Sequence, residues 1–88
     1  IAHAIGSPEL EVYALNYAGE SEILAGRPSD ALAYLNVSIA LSDTHRFILH
    51  LIQGLASAAL ASLQLGDVAL ARAQATRAIY WRQPHTPY

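Results

Sequence analysis

The side chains able to do chemistry are few and scattered. Of the four histidines, His3, His45, His50 and His85, none has a second histidine four residues on. That spacing would place two imidazoles on one helical face for a metal. With no cysteine there is no thiolate nucleophile, no thiolate zinc site and no disulfide framework, and the redox compartment stays undetermined. Glu9, Glu11, Glu20 and Glu22 cluster early in the chain, yet no pair of them stands beside a histidine in the pattern, so they read as a solvated face rather than general acid and base. Ser38, Ser57 and Ser62 have no visible activating base. Every glycine is isolated, which excludes a glycine-rich phosphate cradle. No catalytic residue, metal or cofactor is implied.

Aromatic side chains carry more information. Tyr13, Tyr17, Tyr34, Tyr80 and Trp81 combine an apolar ring with a polar tip, the type enriched in binding surfaces. Tyr34 and Tyr80 equally suit packing between helices, and Trp81 suits a cap over the C-terminal end of the fold. Alanine and leucine together supply 30 of 88 residues, which points to close-packed helices and away from strands. Charged residues make up 14% of the chain and apolar ones 53%. The usual charged share is roughly 25%, so apolar surface is expected to be covered by something outside the chain. All five cations are arginine against a net charge of −2, so the broad basic footprint of direct nucleic-acid binding is missing. Apolar runs are interrupted well short of the ~18 residues of a membrane span, and the N-terminus has no charged-then-apolar leader pattern. A cytoplasmic, non-membrane setting is the expectation.

The elements that must position these residues follow from start and stop signals. Ser7-Pro8-Glu9 offers a capping hydroxyl, a proline in the first turn and an acid at the positive end of the helix dipole. A helix over about 8–25 follows, with Val12, Leu15, Ala18, Gly19 and Ile23 on one face and Gly26 as its stop. Arg27-Pro28-Ser29-Asp30 restarts the chain into a second helix that turns Ala31, Leu32, Leu35, Ser38 and Ile39 inward and ends near Leu41. Ser42-Asp43-Thr44 supplies candidate caps for a third helix, expected to be the longest and most buried, with Phe47, Ile48, Leu51, Ile52, Leu55, Ala58, Ala59 and Leu63 inward. Gly54 within it costs on the order of 1 kcal/mol relative to alanine, a cost that a close backbone contact with a neighbouring helix would offset. Gly66-Asp67 repeats the stop and restart, and a fourth helix carries Val68, Ala71, Ala75, Ala78 and Ile79 inward before Pro84.

Displacing the chain by 40 residues superimposes Leu15 on Leu55, Ala18 on Ala58, Gly26 on Gly66, Ala31 on Ala71, Ala33 on Ala73 and Ile39 on Ile79. The coincidences fall on inward faces and on the turn glycine, as two copies of one helical hairpin require. This pattern resembles the tetratricopeptide repeat: Leu15, Ala18 and Gly19 take the first-helix positions, Gly26 the turn, and Ala31 and Leu35 the second helix. Leu55, Ala58, Ala59, Gly66, Ala71, Ala75 and Ala78 do the same in the second unit. The period is 40 rather than 34, and leucine stands where that family has tryptophan. The stretches Ala14 to Glu20, Leu24 to Leu32, Gly54 to Ala56, Leu65 to Asp67 and Ala71-Arg72 are similar to the 40-residue C-terminal repeats of actinobacterial regulators. These include the Streptomyces antibiotic regulatory protein type and large LuxR-type regulators.

The resemblance implies an all-α fold of two stacked antiparallel hairpins, about 8–42 and 44–83, with an irregular tail 84–88: a short α-solenoid acting as a non-enzymatic interaction or sensory module. Ile1 in place of Met, with Ile1 to Ile5 reading as the end of a helix begun upstream, adds the expectation of a piece of a larger transcriptional regulator. By family position the first helices of the hairpins line a partner groove with Tyr13, Asn16, Glu20 and Ile23, then Gln53, Ala56, Leu60 and Leu63. Without Lys or Arg, that groove lacks the basic clamp some relatives use on a C-terminal carboxylate. The expected occupant is a protein or peptide, or an adjacent repeat of the same chain. The alternative is a self-contained four-helix bundle with a structural, homo-oligomerising role. Residues 1–44 carry a net −5 and residues 45–88 a net +3. End-face association through Arg72, Arg77 and Trp81 is therefore expected, giving a possible homo-oligomer.

Overall fold

Turn chemistry sets the layout of the chain. A computed structural model describes residues 7–83, and within them lie four helices: α1, Pro8–Leu24; α2, Pro28–His45; α3, Ile48–Gln64; and α4, Val68–Arg82. The expectations for Ile1 to Ile5, His3, His85 and the tail 84–88 lie outside the described residues. Ser7 caps α1, its hydroxyl accepting from the Leu10 N–H at 3.3 Å, and Asp67 caps α4 in the same way through Leu70 at 3.1 Å. Caps of this kind are worth about 1 kcal/mol each.

The two hairpin turns are copies of each other. Gly26 N–H donates to Ile23 C=O and Arg27 N–H to Glu22 C=O; Gly66 N–H donates to Leu63 C=O and Asp67 N–H to Ser62 C=O. Every donor and acceptor is displaced by the same 40 residues. Each glycine has positive φ, +77° and +83°, which is why glycine stands at both stops.

The break between the hairpins differs from the sequence expectation. α2 runs past Leu41 to His45, so Ser42, Asp43 and Thr44 form its last turn instead of capping α3. Arg46 at φ +60° ends α2, Phe47 N–H donates back to Ser42 C=O at 2.9 Å, and Phe47 precedes α3 with no side-chain cap. A left-handed closure on a non-glycine residue leaves no glycine to find in the sequence. It also makes α2, at 18 residues, longer than α3 at 17.

Packing is an open stack rather than a closed bundle. α3 lies against α1, α2 and α4, whereas the backbone of α4 comes close only to that of α3. A four-helix bundle closes its ring around one core; here two clusters form instead. One holds Ile23, Ala31, Leu35, Ala58 and Ala61; the other holds Leu51, Leu55 and Ala78 with half-buried Trp81 against them. α3 is the most buried helix, as expected, but Leu63 turns outward. In α4, Val68 and Ile79 are also exposed, and Gln74 takes an inner place beside Ala71 and Ala78.

Glycines and small polar residues set how near the helices come. A Cβ on Gly19 would stand 2.5 Å from Leu35 Cγ, so α1 and α2 meet there as closely as they do because Gly19 has no side chain. Gly54 is close-packed too, but against side chains from two helices, Asn16, Ser38 and Ile39, rather than the backbone of one.

A trough between the first helices of the hairpins

α1 and α3 run side by side, and polar pairs join them along the seam. Glu20 accepts from Gln53 Nε2 at 2.9 Å and from Ser57 Oγ at 3.4 Å. Nearer the start of α1, Glu9 Oε2 stands 3.3 Å from His50 Nε2, and the Tyr13 ring meets the His50 ring edge-on at 6.4 Å. The seam opens into two depressions. One of about 300 Å³ is lined by Ser7, Glu9, Leu10, Tyr13 and His50; the other, about 270 Å³, by Glu20, Ile23, Leu24, Ser57 and Leu60. Each pairs one carboxylate with apolar walls, and no arginine lines either.

The expected groove residues divide into two groups. Tyr13, Glu20, Ile23 and Leu60 border the depressions, and Gln53 bridges to Glu20 between them. Ala56 and Leu63 are exposed on α3, outside the linings of these two depressions. Asn16 is a correction. Asn16 is 1% exposed: its Nδ2 donates to the His50 backbone C=O at 3.2 Å and its Oδ1 accepts from Ser38 Oγ at 2.5 Å. It joins three helices instead of facing a ligand. Ile23 belongs mainly to the first core cluster and shows only its edge to the second depression. Repeat position points Asn16 at the groove, but Val12, Asn16, Gly19 and Ile23 share the inward spacing of α1 and all four are buried.

Sequence reasoning also missed what pairing across helices creates. The Glu9 and His50 contact brings a carboxylate to an imidazole from 41 residues away, beyond the reach of any local pattern. Its chemistry is an ion pair when His50 is protonated and a hydrogen bond otherwise. Ser7, in the same depression, uses its hydroxyl to cap α1. Buried Ser62 donates to Gln74 Oε1 at 2.8 Å, fixing α4 on α3. Arg72 and Arg77 are exposed on α4, and Trp81 lies half-buried against Leu51 and Leu55.

Among the described residues no three of His, Cys, Asp and Glu gather as a metal centre requires, and no helix is long and apolar enough to cross a membrane. No protein-family model, curated protein or solved structure matches the chain significantly.

Proposed function

We propose that the chain is a non-enzymatic interaction module of tetratricopeptide-like type, working in the cytoplasm as part of a larger regulator, which holds a segment of a partner protein along the trough between α1 and α3. The observation that carries this reading is the pair of depressions, each with one carboxylate, Glu9 or Glu20, set among apolar side chains. Leu24, at the lip of the second, is 89% exposed among the described residues. At the helical rise, Tyr13 and Leu24 stand about 16 Å apart, the reach of roughly five extended residues. The occupant that fits is a segment with two apolar anchors spaced to that distance and Lys or Arg beside them. Neither depression offers Lys or Arg to a C-terminal carboxylate.

Selection of a displayed random-peptide library on the purified chain tests this. Peptides combining aromatic or aliphatic anchors with basic residues are expected, and Leu24→Glu or Leu60→Glu should weaken them at least tenfold while helical circular dichroism stays unchanged. Failure to enrich any such peptide, or binding indifferent to both substitutions, would overturn the reading.

A further inference from the structure

The 40-residue step relating the two hairpins also carries α3 onto a place that no described residue fills. α3 sits against α1 and α2, so a helix one step further would sit against α3 and α4. The side chains on that outer face are open. Leu49 is 82% exposed, Leu60 50% and Ile79 57%. Their counterparts one step back, Glu9, Glu20 and Ile39, all meet α3: Glu9 at His50, Glu20 at Gln53 and Ser57, Ile39 at Gly54.

The missing helix has a counterpart in the chain itself. His50, Gln53, Gly54 and Ser57 are the α3 residues that make those contacts, and one step back from them stand Leu10, Tyr13, Ala14 and Tyr17, all exposed on α1. Substituting one set for the other turns each polar pair of the internal seam into an apolar one. Glu9 with His50 becomes Leu49 with Leu10; Glu20 with Gln53 and Ser57 becomes Leu60 with Tyr13 and Tyr17. Ile39 over Gly54 becomes Ile79 over Ala14, a small residue again at the close crossing. Charge follows the same direction, since α1 carries Glu9, Glu11, Glu20 and Glu22 with no Arg, whereas α4 carries Arg72, Arg77 and Arg82 with no acid.

We propose that a second copy of this chain stacks head to tail on the first, its α1 seated against α3 and α4 in the register of the 40-residue step. The contact is heterologous, so each copy added leaves a free head and a free tail, and assembly continues past the dimer into a filament or a ring. Apolar pairs supply the attraction, and the opposed charges of α1 and α4 at the rim set the direction. The inference is independent of what the trough binds. Because Leu10, Tyr13 and Leu60 border both surfaces, the two arginine variants leave them untouched.

Sedimentation velocity on the 88-residue chain, from micromolar to millimolar concentration, is the experiment. Species that grow beyond a dimer with concentration are expected. Ala14→Arg, which blocks the head, and Ile79→Arg, which blocks the tail, should each sediment as monomers with unchanged circular dichroism. An equimolar mixture of the two should form a dimer of one of each and nothing larger, because one working head and one working tail remain. The chain lacks cysteine, so Leu10→Cys mixed with Leu49→Cys should give an oxidised cross-link between copies, providing a second readout that needs no arginine in the contact. A wild-type chain that stays monomeric at millimolar concentration overturns the proposal, as does a variant that keeps the wild-type distribution. A mixture that stays monomeric, or the absence of the mixed cross-link, overturns the register.

Discussion

Gly19 shows how much one missing methyl group decides. Alanine would normally strengthen a helix interior by about 1 kcal/mol over glycine, but here its Cβ would overlap Leu35, which is itself fully buried and has no room to retreat. Overpacking of this kind costs typically 1–3 kcal/mol. Gly19→Ala should therefore lower stability by about 1–2 kcal/mol in urea denaturation, and Gly19→Leu by more; a stabilised Gly19→Ala would mean that α1 and α2 can part without loss. This constraint was legible in the sequence as a glycine on an inward face. The role of Asn16 was not, because a polar side chain on such a face can point to a ligand, to water or to a partner two helices away, and spacing does not distinguish them.

Helix boundaries were read well where the chain announces them with Ser-Pro, Gly-Arg-Pro and Gly-Asp, and missed where it does not. The end of α2 rests on Arg46 in the left-handed region, which costs a non-glycine residue roughly 1–2 kcal/mol. Three capping-type residues just before it drew the boundary too early, although they serve inside the helix, with Ser42 fully buried. Arg46→Gly should relieve the strain, and after the greater unfolded-state freedom of glycine is subtracted the net gain is about 0.5 kcal/mol. A rise in the thermal midpoint checks it. A fall would show that the arginine side chain holds the joint between hairpins. The inward face of α3 was also legible, because its apolar residues keep a 3.6-residue period, with Leu51, Leu55, Ala58 and Ala59 buried. In α4 it did not serve, since Val68 and Ile79 are apolar yet exposed, whereas the polar Gln74 is buried.

Between the hairpins the molecule relies on polar joints more than within them. Asn16 ties α1 to α2 through Ser38 and to α3 through the His50 carbonyl. Removing one partner from a buried hydrogen-bonded set leaves the others unsatisfied, at about 1–3 kcal/mol. Asn16→Ala should lose about 2 kcal/mol and broaden the urea transition as the two hairpins begin to unfold separately. A sharp, single transition with an unchanged slope would show that the apolar clusters alone couple the hairpins.

The described chain spans 40 by 36 by only 15 Å, two helices deep, and α3 is the sole element that lies against all three others. In so thin a plate nearly every amide is one local opening away from water, and those openings differ in how many neighbours must part. Breathing of α1 or α4 disturbs one side of the plate, whereas breathing of α3 separates all of it. Deuterium uptake should therefore be slowest along Leu51 to Ala61 and nearly as slow in the middle of α2. The two outer helices should exchange first, and when this chain lets go of its structure it should do so from the edges toward a single central rod.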